Sequence, residues 1–97
     1  MLIVAGAFVV APEDRDAFLA GRHDSIVATR AEAGCLDYVL SADPVDPAKV
    51  VIFERWEDQA SFDAHLAGLA TGPRPTGPAP QSASALIHDV AGTRSLG

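Results

Sequence analysis

The sequence predicts an α+β fold of ferredoxin-like type, a four-stranded antiparallel sheet with two helices on one face. Three observations carry that prediction. Four segments with strand character alternate with two of helical period, in the order β-α-β-β-α-β. Proline, glycine or aspartate punctuates the junctions between them. The length of 97 residues and the 48% hydrophobic content fit one small globular domain over 1–97.

Residues 2–10 are rich in β-branched and apolar types and stop short of Pro12, which predicts a strand. Leu2, Val4, Gly6, Phe8 and Val10 share one face, and Ile3, Ala5, Ala7 and Val9 the other. Both are apolar, so the strand is expected to be covered on both sides. A helix is predicted over 13–31. Pro12 suits its first turn, Glu13, Asp14 and Asp16 match the dipole there, and Gly34 serves as a left-handed cap. Read as one continuous helix, it brings Leu19, Ile26 and Arg30 together with His23 beside them, on the side facing the sheet.

Cys35 to Ser41 reads as a second strand, with Leu36, Tyr38 and Leu40 on one face and Cys35, Asp37, Val39 and Ser41 on the other. Asp43-Pro44-Val45-Asp46-Pro47 forms a turn, because proline fixes φ and aspartate bonds nearby backbone. Lys49 to Trp56 follows as the third strand, pairing with the second as a hairpin. A second helix is predicted over 58–70, with Asp58 as N-cap and Phe62, Leu66 and Leu69 as its apolar stripe. His65 lies at the edge of that stripe. Residues 71–83 hold four prolines and two glycines and read as an extended loop, either a lid or disordered. Ser84 to Ala91 is the fourth strand, with Leu86, His88 and Val90 on one face, and 92–97 is a tail.

Both helices fall on one side of such a sheet, yet the other side is apolar too. A second copy of the sheet is the simplest cover, which predicts a homodimer through that face.

The net charge of −6 leaves no basic stripe for nucleic acid and repels an anionic membrane surface. The apolar N-terminal run lacks a basic start and is too short for a membrane helix, so a cytoplasmic location is expected. One cysteine excludes an internal disulfide and an all-cysteine zinc site. The three histidines form no H-x-x-x-H or H-x-H pair, and Asp63 and His65 point about 200° apart on a helix, so no metal site is expected. No G-x-G-x-x-G or G-x-x-x-x-G-K-[ST] motif is present for a nucleotide. Cys35 has no evident triad partners and reads as a small buried hydrophobe.

Ala33-Gly34-Cys35-Leu36 after the first helix, the Asp43 to Pro47 turn, Phe53-Glu54-Arg55-Trp56-Glu57 closing the third strand, and Phe62-Asp63-Ala64-His65-Leu66 on the second helix make a set. Together they resemble the antibiotic biosynthesis monooxygenase family, over roughly residues 2–70. The resemblance implies a dimeric α/β barrel with a pocket in each subunit between helices and sheet. Some such proteins oxygenate phenolic or quinol-type aromatics with molecular oxygen as co-substrate and no metal, flavin or haem. Others degrade haem. The haem-degrading and polyketide-oxygenating branches use an asparagine on a strand, and this sequence contains no asparagine, so neither activity carries over. The proline-rich loop also departs from the family pattern, where many members continue with helical, aromatic sequence.

For a cofactor-independent oxidation, His65 and His23 are the candidate bases, since an imidazole titrates near neutral pH. Trp56 and Phe62 are candidate walls for a planar ring. Arg30 is the candidate anion partner and His88 a further lining residue. Each has a structural alternative. Trp56 can anchor the second helix, His65 and His88 can be satisfied core or sheet histidines, and Arg30 can pair with Glu54 to lock helix to strand. Two other functions suit the same scaffold: a non-catalytic barrel that binds a small apolar ligand, and an isomerase or cyclase that consumes no oxygen.

Overall fold

The computed structural model describes residues 1–97. Strand β1 (Leu2–Val9) runs until the chain turns at Pro12, which opens a short 3-10 turn over Pro12–Asp14. Helices α1 (Arg15–Ala20) and α2 (His23–Arg30) follow. Strands β2 (Cys35–Ala42) and β3 (Lys49–Trp56) form the hairpin, α3 spans Gln59–Thr71, and β4 is Ser82–Asp89. The strands are antiparallel in the order β2-β3-β1-β4, the ferredoxin-like arrangement.

Local chemistry fixes several junctions as the sequence predicts. Gly34 has φ +81°, a conformation that disfavours any Cβ. The Asp58 carboxylate accepts a bond from the Ser61 N–H at 2.8 Å and caps α3. In the hairpin, Asp43 accepts bonds from the N–H groups of Val45 at 3.0 Å and Asp46 at 2.7 Å. These two bonds hold its carboxyl below the usual carboxylate range.

The predicted helix over 13–31 is two helices. Gly21 and Arg22 interrupt it because the loop after α3 comes down on Gly21: the Thr76 N–H donates to Gly21 O at 3.3 Å, and any side chain at 21 would collide with the Thr76 carbonyl. The break resets the helical phase. Helix α2 buries Thr29, with Arg22 and Ile26 half-buried, and leaves His23 and Arg30 exposed.

A bulge shifts the faces of β2. Cys35 pairs with Trp56 and Asp37 with Arg55, so Leu36 is the extra residue. Cys35 therefore joins Tyr38 against the buried core beneath the helices, and Leu36 is exposed, contrary to strict alternation. On α3 the inward residues are Phe62 and His65; Leu66 and Leu69 are exposed. Strand β4 begins two residues before its predicted start, and all eight of its residues are exposed. The helices pack over β2 and β3 and leave β4 open on both faces.

The buried core falls into two groups. Leu2, Val4, Trp56 and Phe62 pack with Cys35 and Tyr38 at one end; Val10, Phe18 and Val50 pack with Phe8, Leu19 and Leu40 at the other. The register puts Ile3, Ala5, Ala7, Val51, Phe53 and Leu86 on the opposite face, which no helix covers.

Candidate functional site

Alternation along β3 turns Glu54 and Trp56 toward the helices, and the pairing sets Tyr38 beside Glu54. Helix α3 brings His65 down onto this corner. Its ring centroid lies 4.8 Å from Trp56 and 5.5 Å from Tyr38, with Phe62 at 6.3 Å. Trp56 is fully buried, and its Nε1–H donates to Glu54 Oε1 at 3.0 Å. Burial pushes the Glu54 carboxyl above the usual range, with the Trp56 bond and nearby His65 pulling the other way. Burial also pushes the Tyr38 phenol up to about 12, reinforced by Glu54 and Glu32. A phenol so placed stays protonated at neutral pH.

His65 is 3% exposed, and its Nδ1 donates to Glu32 Oε2 at 2.7 Å. An ionised carboxylate can only accept, so this bond assigns the proton to Nδ1 and leaves the Nε2 lone pair free in the neutral ring. No wholly buried side-chain nitrogen or oxygen lacks a partner, and Nε2 bonds to nothing in the chain, so it keeps some access to solvent. Glu32 follows the last turn of α2. A negative charge is disfavoured there by the helix dipole, and His65 supplies the donor that holds it.

On its other side Glu32 forms part of the wall of a cleft of about 530 Å³ between α2, the second half of α3 and residues 72–76. Thr29, Gly68 and Leu69 line it as well, and Asp24 and Arg74 are its other charged residues. The proline-rich segment predicted as a loop thus roofs this cleft, held at Thr76 by Gly21 and at Gln81 by an N–H bond of 2.8 Å to Val9 O. The volume falls in the range of small-molecule pockets.

Of the residues singled out from sequence, His65, Trp56 and Phe62 come together. The other three do not. His23 is exposed and pairs with its neighbour Asp24 at 3.2 Å, because the break at Gly21 turns it outward. Arg30 is also exposed; its Nε donates to Tyr38 O at 2.8 Å, and Glu54 pairs with Trp56 instead. His88 pairs in register with Ile3 and so lies on the opposite face of the sheet from His65. The sequence pattern does not single out Glu32 or Tyr38. Glu32 carried one readable sign, an acid at a helix C-terminus where a base is preferred.

No group of three or more His, Cys, Asp or Glu side chains is placed to share a metal ion. No helix is long and apolar enough to cross a membrane.

Fold and cluster define a class: a small ferredoxin-like α+β domain with a carboxylate–imidazole pair set among aromatic rings between helix and sheet. The chain belongs to the antibiotic biosynthesis monooxygenase family, whose family model matches residues 1–70. Over 65 residues, 67% of the chain, it is 31% identical to the protein sll1783 of Synechocystis, and it spans 44% of the length of that relative. Among solved structures it is similar to Rv0793 of Mycobacterium tuberculosis, with 28% identity, a TM-score of 0.70 and coverage of 97% of this chain and 98% of that one. It is similar to an antibiotic biosynthesis monooxygenase with 27% identity, a TM-score of 0.70 and coverage of 95% and 100%. It also shares its fold with the M. tuberculosis haem degrader MhuD, a structure with two haems in its active site, at 19% identity, a TM-score of 0.75 and coverage of 98% and 100%.

Proposed function

We propose that this protein is a cofactor-independent monooxygenase that oxidises a small hydroxylated aromatic, phenolic or quinol-type, with molecular oxygen as co-substrate. One observation carries this reading: the Glu32 carboxylate stands between an open cleft and a buried histidine that donates to it. Substrate lies in the cleft with a hydroxyl toward Glu32. Glu32 takes the proton, and His65 acts through it as a positioning residue, fixing the carboxylate by the Nδ1–H bond. Trp56, Phe62 and Tyr38 pack around the His65 ring behind the cleft and hold it in place.

The electron balance needs no further reductant. The phenolate gives one electron to oxygen, the two radicals combine, and the peroxide formed at a ring carbon loses water to leave a carbonyl. One oxygen atom enters the ring as that carbonyl and the other leaves in the water. All four electrons come from the substrate, whose ring ends as a quinone. A preorganised, partly desolvated base site is what this sequence of steps asks of a protein. The family membership supports the reaction class, and the apolar outer sheet face supports a homodimer, acting in the cytoplasm.

The test is oxygen uptake against a panel of quinols and polyketide phenols in the presence of a chelator. Glu32→Gln is expected to lower kcat by about 10²–10⁴-fold. His65→Ala should approach that loss and shift the acidic limb of the pH profile. His65→Gln, which retains a donor for Glu32, should recover part of it. His23→Ala should leave turnover unchanged. Turnover indifferent to Glu32, or product formed without oxygen uptake, rejects the reading, the second outcome in favour of an isomerase or cyclase.

A further inference from the structure

The cleft beside Glu32 is walled by three charged side chains, Asp24, Glu32 and Arg74. Both acids have partners: Asp24 pairs with His23 at 3.2 Å, and Glu32 accepts from His65 Nδ1 at 2.7 Å. Arg74 has none. Of the seven basic residues in the chain, four are engaged elsewhere. Arg15 donates to backbone carbonyls of the hairpin, Arg22 stacks on Phe18 in the core, Arg30 donates to Tyr38 O, and Arg55 pairs with Asp37. Lys49, at the start of β3, and Arg94, in the tail, are not part of the cleft wall. Arg74 is therefore the one cation that a ligand in the cleft meets, and its N–H donors are all free.

The backbone holds this side chain at the cleft. Pro73 and Pro75 flank Arg74, and a proline fixes its own φ while biasing the residue before it toward an extended conformation. Arg74 is thus restricted from both sides. The segment is also pinned at both ends: the Gly72 N–H donates to Gly68 O at 2.7 Å, and the Thr76 N–H donates to Gly21 O at 3.3 Å. Just beyond, Gly77 takes φ +83° and lies so close to α1 that a Cβ would come within 2.9 Å of Ala17 O. A mount fixed in this way lowers the ordering cost of binding a ligand. The Arg74 side chain itself is exposed, so solvent screens its pull and a partner needs a full charge to be held there.

We infer that Arg74 is the specificity-determining residue of this cleft, which takes a hydroxylated aromatic carboxylic acid with its carboxylate on the Arg74 guanidinium. The inference rests on the proposed function and deepens it by naming the substrate class. A planar guanidinium matches a carboxylate in shape and can give it two parallel N–H···O bonds. The two acids of the cleft set the orientation. Glu32 and Asp24 repel a carboxylate, whereas a neutral hydroxyl can donate to Glu32. Placing the acid end on Arg74 and the hydroxyl end on Glu32 satisfies both. The cleft of about 530 Å³ has room for a single ring carrying both groups. The carboxylate keeps all its bonds through the reaction, so the electron balance of the proposed oxidation is unchanged.

The test uses 4-hydroxybenzoate and its neutral counterpart 4-hydroxybenzamide, which share the ring, the hydroxyl and nearly the same shape. Binding of each to the full-length protein is measured by calorimetry at neutral pH, where the benzoate is ionised. The wild type is expected to favour the benzoate by about five- to tenfold, a preference that shrinks as salt is added. Arg74→Gln should remove that preference. Arg74→Lys should restore part of it, because an ammonium has the charge without the planar fork. Arg94→Gln makes the same charge change in the tail and should leave the preference intact. Arg74 bonds to nothing in the chain, so an unchanged melting temperature is expected for its variants. A preference that survives Arg74→Gln overturns the inference, as does a wild type that binds the two probes equally or binds neither. Oxygen uptake with a neutral quinol reads the proposed function separately. Uptake that depends on Glu32, without a preference for the acid, leaves that function standing and the inference rejected. A preference for the acid that depends on Arg74, with no uptake from any quinol, neutral or carboxylated, supports the anion site and rejects the function.

Discussion

At the scale of single residues, the site is built from groups placed against their local preferences. Glu32 sits at the helix end where a carboxylate is least welcome, and a buried imidazole compensates. Glu54 is an acid kept among apolar neighbours with one Trp56 donor. Tyr38 is the only tyrosine in the chain, which makes its environment measurable. Its pKa is raised from 10.0 to about 12, so the folded state holds the proton more tightly than the unfolded one. Between those values the unfolded chain loses its proton first, and stability falls as pH rises through that window. Ultraviolet titration should show almost no tyrosinate in the folded protein near pH 10, where the urea-unfolded chain is half ionised. Equal ionisation of the two would show that Tyr38 is solvated. His65 and Trp56 were legible in the sequence because residue type and the spacing between strand end and helix mark them. Glu32 was not, because its partner lies 33 residues away and no local pattern joins them.

At the scale of elements, two irregularities decide which side chains reach the site. The break at Gly21 removes His23 and Arg30 from the inward face and brings in Thr29 and Arg22. The bulge at Leu36 moves Cys35 to the helix side. Periodicity could not register either, since an unbroken 100° or 180° step carries phase past an interruption that a distant segment imposes. Two glycines make opposite predictions. Gly34 combines φ +81° with a close approach to the Ser61 side chain, so Gly34→Ala should destabilise by more than about 1 kcal/mol. Gly68 is helical, and a Cβ there would meet only Glu32 Oε1 at 3.9 Å. Gly68→Ala should therefore stabilise by about 0.5–1 kcal/mol. It would also narrow the cleft beside Glu32 and weaken ligand binding. Thermal melts with ligand titration of both variants check the pair, and a stabilised Gly34→Ala would refute the turn assignment.

For the whole molecule, the apolar outer sheet face is the surface through which the proposed homodimer would form. Phe53 lies near its centre, beside Ala5 and Val39 across the neighbouring strands, with Leu86 beyond Ala5. Phe53→Glu places a charge there without touching Glu32, His65 or Arg74, which are on the other side. Sedimentation should show two chains for the wild type and one for the variant. A wild type that stays monomeric at micromolar concentration would reject the dimer, and would leave the apolar face unexplained by self-association.

The order of the strands, the antiparallel hairpin, the caps at Gly34 and Asp58 and an apolar second sheet face are all readable from the chain alone. These follow from φ preferences, side-chain alternation and hydrogen bonds between near neighbours, all local in the chain. Which charged groups meet is settled by packing between distant segments. That packing set Glu32 on His65, turned Glu54 to Trp56 and left Arg74 without an acid, while taking His23, Arg30 and His88 away from the cluster. The physical reason is that such pairings depend on a contact at Gly21 and a bulge at Leu36. A shift of one residue in a strand or one step in a helix turns a side chain to a different face.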